Sequence, residues 1–104
     1  MSRRVHISIT AKKKLDDLFD YLIENWSIKV KDNFVIKLDK YIETIKNYPE
    51  SFPESVLENG LRKCVITKQT TLFYRFNSES INIVTIFDTR QNPKKIELSP
   101  KLNE

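Results

Sequence analysis

Apolar and polar residues alternate at the start of the chain, Val5, Ile7 and Ile9 against His6, Ser8 and Thr10, and this period of two predicts a short strand with one buried face. From Leu15 the period changes. Leu15, Leu18, Phe19, Leu22, Ile23 and Trp26 follow the spacing of a single helical stripe, with Thr10 placed to cap the helix. Asn25 and Ser27 break that stripe, and Ser27 can cap a second helix. Its apolar positions are Phe34, Val35, Leu38, Tyr41, Ile42, Ile45 and Tyr48, and Pro49 stops it. So short a break predicts an antiparallel helical hairpin. At helical spacing Trp26, Phe34, Tyr41 and Tyr48 read as core aromatics rather than as a stacking platform.

Residues 49–60 hold Pro49, Pro53, three glutamates and Gly60, the pattern of a connecting loop. Three β-rich runs follow, Leu61 to Lys68, Thr71 to Phe76 and Ile81 to Asp88, with separations short enough for antiparallel hairpins. In the second, Leu72, Tyr74 and Phe76 share one face and Thr71, Phe73 and Arg75 the other. The third is apolar on both faces, as in a strand covered twice or paired with the N-terminal strand. The predicted class is α+β: strand, two-helix hairpin, three-stranded antiparallel meander. The tail beyond about residue 94 has only Ile96, Leu98 and Leu102 as apolar anchors, so it is expected to be weakly ordered or to fold against a partner.

A length of 104 residues fits one domain. With one cysteine, Cys64, and one histidine, His6, no intrachain disulfide and no Cys/His metal cage can form, and no cofactor or metal is expected. No apolar run approaches the roughly 18 residues of a spanning helix, and residues 1–10 lack a signal-peptide core, so a cytoplasmic protein without a membrane partner is expected.

The net charge of +4 permits a nucleic-acid or acidic-protein partner. Its distribution says more. Residues 61–76 contain Arg62, Lys63, Lys68 and Arg75 and no acid, either as solvated strand-edge charges or as a surface facing phosphates or an acidic peptide. Lys12, Lys13 and Lys14 fall where the helix dipole disfavours cations by roughly 0.3–1 kcal/mol each, and a solvated cluster accounts for them. His6 lies on the polar face of its strand, and Cys64 reads as a small buried hydrophobe. Arg90 follows a strand end, where side chains are presented rather than packed; it either contacts a ligand or pairs with Asp88 or an acid of the 49–60 loop.

The element order, with three local patterns, resembles the RelE/ParE superfamily of bacterial type II toxins over about residues 3 to 95. The patterns are Val5-His6-Ile7-Ser8-Ile9-Thr10-Ala11 at the opening strand and helix cap; Leu61-Arg62-Lys63 followed by Leu72-Phe73-Tyr74-Arg75 in the meander; and Ile83 to Ile86 running into Phe87-Asp88-Thr89-Arg90-Gln91-Asn92-Pro93. The resemblance implies a growth-arresting toxin, of the kind associated with plasmid stabilization. Its partner would be a cognate antitoxin whose amphipathic or acidic C-terminal segment wraps it in a hetero-oligomer.

Two mechanisms are implied by the resemblance. RelE-like members are ribosome-dependent mRNA endoribonucleases, for which Arg90, Arg62, Lys63 and Arg75 would be the catalytic residues. ParE-like members poison DNA gyrase without catalysing a reaction. Here Thr71 stands where the RelE-like third-strand arginine falls, with Arg75 four residues on, and no tyrosine or histidine follows Tyr74. ParE-like action is therefore the expected mechanism and RelE-like cleavage the alternative; a non-toxic basic nucleic-acid-binding module is a third possibility.

Overall fold

The computed structural model describes residues 3–90, so the tail expected to be weakly ordered lies outside the described residues. In chain order the elements are β1 (Arg4–Ile7), α1 (Ile9–Asn25), α2 (Ile28–Asn47), a short 3-10 helix (Pro49–Ser51), β2 (Arg62–Val65), β3 (Thr70–Phe76) and β4 (Ser80–Asp88). This is the expected α+β order. The four strands form one mixed sheet in the order β1-β4-β3-β2, with β1 parallel to β4 and the meander antiparallel.

Two hydroxyls compete for the start of α1, and Ser8 takes it rather than Thr10. Ser8 Oγ accepts from the Ala11 N–H at 2.9 Å and donates to the Val84 carbonyl at 2.7 Å, while the Ser8 N–H donates to the Ile83 carbonyl at 3.0 Å. One residue thus satisfies an orphan helix donor and ties the helix start to β4. The strand consequently stops at Ile7. Ile9, expected on a buried strand face, lies in the first helical turn and is 89% exposed.

The helical stripes pack as expected in their middles. Ala11, Leu15, Leu18 and Leu22 of α1 and Phe34, Leu38 and Ile45 of α2 are buried against Leu72 and Tyr74 of β3 and Ile81, Ile83 and Ile86 of β4. Each large apolar side chain so buried stabilises the fold by roughly 1.5–3 kcal/mol. The ends of the stripes differ from expectation. Trp26 and Tyr48 are the C-cap residues of their helices, where the backbone leaves helical geometry, and are 55% and 69% exposed.

β4 changes face along its length. Phe73 of β3 pairs with Thr85 and Tyr74 with Ile83, leaving Val84 as one extra residue. Such a bulge shifts the side-chain alternation by one. Before it, Ile81 and Ile83 face the helices; after it, Ile86 does, and Asp88 falls on that same side by alternation. Val84 and Phe87 pack with Leu61 and Phe73 as a smaller apolar cluster on the other face. The bulge therefore puts a carboxylate where strict alternation from Ile81 would have turned it away from the helices.

Candidate functional site

Asp88 is 5% exposed and lies directly opposite Thr70 in the β3–β4 ladder. A buried carboxylate must be paired and hydrogen-bonded, and this one is. Thr70 Oγ1 donates to Oδ2 at 2.5 Å, the Arg90 backbone N–H donates to Oδ1 at 2.9 Å, and the Arg90 guanidinium donates through Nε to Oδ1 at 3.0 Å and through Nη2 to Oδ2 at 2.7 Å. Burial pushes the Asp88 carboxyl up, but the hydrogen bonds from Arg90 and Thr70 outweigh it and hold the carboxyl below the usual carboxylate range. The same carboxylate holds Arg90 firmly protonated. The guanidinium carbon also sits 5.8 Å from the centre of the Trp26 ring, which in turn meets Tyr21 edge-on at 5.8 Å. Arg90 is thus a clamped side chain between the end of β4 and the tip of the helical hairpin.

The other basic candidates lie elsewhere. Arg62 is opposite Tyr74, Lys63 opposite Phe73, and Arg75 opposite Asn82. Thr70, the partner of Asp88, is five strand residues from Arg75, roughly 17 Å along the sheet. Nor do they share a face. Arg62 shares the helix side with Tyr74, whereas Lys63 and Arg75 share the other side with Phe73.

Two of the three are also engaged. Arg62 Nη1 donates to the carbonyls of Phe52 at 2.6 Å and Glu50 at 3.4 Å, its Nη2 lies 3.9 Å from Glu54, and its guanidinium carbon is 5.6 Å from the Phe76 ring centre. Arg75 pairs with Glu58 and donates to the Asn59 carbonyl at 2.9 Å. Lys63, on the β2 edge, is exposed, and only its backbone N–H is tied, to the Pro53 carbonyl at 3.0 Å. Arg62, Lys63 and Arg75 are thus near neighbours in the β2–β3 ladder but split between its two faces, and Arg90 stands apart from them at the other end of the sheet.

Proton-transfer groups are equally scattered. The Tyr74 hydroxyl is buried and donates to the Pro49 carbonyl at 2.6 Å, and burial pushes its pKa up to about 12. Burial likewise pushes the Cys64 thiol up to about 12. His6 is exposed on β1 opposite Asn82. Among the described residues no group of three His, Cys, Asp or Glu could hold a metal ion, and no helix is long and apolar enough to cross a membrane.

Sequence reasoning named Arg90 and its pairing with Asp88 as one of two outcomes. It missed Thr70, Trp26 and the burial of Asp88. The only available signal was the Asp-Thr-Arg spacing at a strand end; the Thr70 contact crosses 18 residues and depends on the bulge.

With this geometry in hand, the comparisons with known proteins are consistent. Residues 5–93 match the family model of the ParE toxin of the type II toxin-antitoxin system parDE. No curated protein sequence matches the chain. Among solved structures, the fold is similar to a chain of the chromosomal ParDE system from P. aeruginosa, at 13% identity and a TM-score of 0.69, covering 84% of this chain and 96% of that one. It is also similar to YoeB of the dimer from Staphylococcus aureus, at 16% identity and a TM-score of 0.61, covering 84% and 97%. A chain of the E. coli DinJ-YafQ toxin-antitoxin complex follows at 14% identity and 0.57, covering 88% and 98%. The match over residues 5–93, on a strand, helical hairpin and three-stranded meander, places this chain in the ParE toxin family of type II toxin-antitoxin systems.

Proposed function

We propose that this toxin acts in the cytoplasm by binding and inhibiting DNA gyrase, and that a cognate antitoxin neutralises it by wrapping its surface in a hetero-oligomer. One observation carries the choice of mechanism. Metal-independent RNA cleavage needs a base, an acid and a cation converging within about 3 Å of the reacting atoms. Here Arg90 is clamped by Asp88, Arg62 and Arg75 are spent on loop carbonyls and glutamates at the far end of the sheet, and the one tyrosine of the meander is buried on a carbonyl. Inhibition by binding needs no such constellation.

The second reading is RelE-like, ribosome-dependent mRNA cleavage on the same fold, with Arg90, Arg62, Lys63 and Arg75 as the catalytic residues. It is favoured by Lys63, whose side chain is exposed on an edge strand and has no hydrogen bond to any described residue. Purified chain added to gyrase and relaxed plasmid separates the two. Gyrase inhibition is expected at stoichiometric toxin, with no cleavage of mRNA on translating ribosomes; codon-spaced mRNA cuts with gyrase unaffected would reverse the assignment.

A further inference from the structure

The loop that leads from the 3-10 helix into β2 is braced from both sides. The Ser55 N–H donates to the Leu61 carbonyl at 2.6 Å, the Leu61 N–H to the Glu58 carbonyl at 3.2 Å, and the Lys63 N–H to the Pro53 carbonyl at 3.0 Å. Arg62 holds the Phe52 carbonyl, and Arg75 holds Glu58 and the Asn59 carbonyl. The Phe52 ring lies against Tyr41 and Tyr74, at 6.3 and 6.5 Å between centres. Ser55 is buried, and its Oγ accepts from the Leu57 N–H at 3.1 Å, which fixes the turn at the tip. A loop closed by its own contacts ordinarily turns its apolar side chains inward. This one presents them: Val56 is 98% exposed, the most of any large apolar side chain among the described residues, and Leu57 beside it is 45% exposed.

We propose that the Val56-Leu57 tip is the anchor by which this chain holds DNA gyrase, entering an apolar pocket rimmed by basic side chains on that protein; the identity of the partner rests on the function proposed above. A braced tip loses little conformational freedom on binding, so burying Val56 and the rest of Leu57 goes into affinity. Charge selects the kind of partner. Residues 49–60 hold three glutamates and no lysine, arginine or histidine. On the leg leading to Val56, Glu50 is exposed and makes no ion pair with a described residue, and the Glu54 side chain is 58% exposed with Arg62 Nη2 at 3.9 Å. Such a rim repels nucleic-acid phosphates and acidic peptide segments alike, and it matches a protein surface carrying lysines or arginines.

The test titrates the full chain onto immobilised gyrase holoenzyme. Wild type is compared with Val56→Ser, with Val56→Ser, Leu57→Ser, with Glu50→Lys, and with Ile28→Ser, an equally exposed apolar residue at the far end of α2. Thermal unfolding of each variant reports folding, and Val56→Ser, at a fully solvated position, keeps the test valid if the double variant is unstable. Duplex DNA without gyrase is titrated in parallel, and sedimentation of the chain alone reports self-association.

The double variant is expected to bind gyrase at least roughly tenfold more weakly than wild type, and Val56→Ser about threefold or more, with its unfolding midpoint unchanged. Glu50→Lys should weaken binding about threefold at low salt. Ile28→Ser should stay within about twofold. The proposal is overturned if the Val56 variants bind like wild type, if Ile28→Ser costs as much, or if Glu50→Lys leaves binding unchanged or tightens it. It is also overturned if the Val56 variants lose affinity for duplex DNA instead, or if wild type self-associates and they do not, which would give the tip to a second copy. Wild type that fails to bind gyrase at all overturns the function proposed above and this assignment with it; wild type that binds and inhibits while the Val56 variants match it overturns the loop assignment alone.

Discussion

Arg90 grips the carboxylate of Asp88, two residues before it, through both Nε and Nη2, at 3.0 and 2.7 Å. Pairing with Asp88 is one of the two outcomes the sequence leaves open for Arg90, and it ties the end of β4 to the arginine beside the helical hairpin. Breaking a buried pair from one side strands the other charge, which typically costs 3–5 kcal/mol; with Arg90 partly exposed, Asp88→Asn should cost about 3 kcal/mol in urea denaturation.

The same pair sets an acid limit. Because the folded Asp88 carboxyl is held below its unfolded value of about 3.9, its contribution is complete above that value and is lost as pH falls below about 4. Unfolding free energy measured between pH 6 and 3 should therefore drop more steeply in the wild type than in Asp88→Asn. Parallel curves would show that the clamp does not titrate with folding.

Arg90→Ala leaves Asp88 buried without its main partner, so a loss of toxicity in that variant alone says nothing about ligand contact. The double variant Asp88→Asn, Arg90→Gln removes both charges together. It should be at least 1 kcal/mol more stable than the sum of the single effects predicts, as expected for coupled neighbours. Thermal unfolding of the four proteins in one buffer checks this.

Ser8 serves both helix and sheet. Removing its hydroxyl deletes an N-cap worth about 1 kcal/mol and a bond to the Val84 carbonyl worth about as much, so Ser8→Ala should cost about 2 kcal/mol. Thr10→Ala, at the position the sequence pattern favoured, should stay within about 0.5 kcal/mol. The reverse order in chemical denaturation would put the cap at Thr10.

Gly60 is the one described residue with a left-handed backbone, at φ 78°, and a Cβ there would meet Arg75 Nη1 at 3.1 Å. Gly60→Ala should cost about 1–2 kcal/mol from backbone strain alone. It should also loosen the Arg75 contacts with Glu58 and Asn59, detectable as faster amide exchange in the 54–60 loop.

Much of the fold was legible because long periodic stripes are read over many residues. Leu15, Leu18 and Leu22, then Phe34, Leu38 and Ile45, fixed two helices facing one sheet, and the two-sided apolar run from Ile81 marked the strand that β1 joins. What was not legible depended on single residues. Val84 as a bulge reverses the face of everything after it, and nothing in an apolar run such as Ile83-Val84-Thr85-Ile86 shows where the extra residue falls. Trp26 and Tyr48 continue their stripes in sequence but are the C-caps, whose non-helical backbone takes them off the helical stripe. The site was legible as a set of basic residues but not as an arrangement, since register and loop contacts place Arg62 and Arg75 at one end of the sheet and Arg90 at the other, and bind each to an internal partner.

The most direct test of the central claim is brief induction of the chain in cells lacking its antitoxin, followed by recovery of covalent gyrase–DNA complexes alongside primer extension on translated mRNA. Trapped gyrase complexes with intact mRNA are the predicted result. Cuts within translated codons, with no gyrase trapped, would contradict it and return Arg90, Arg62, Lys63 and Arg75 to a catalytic role.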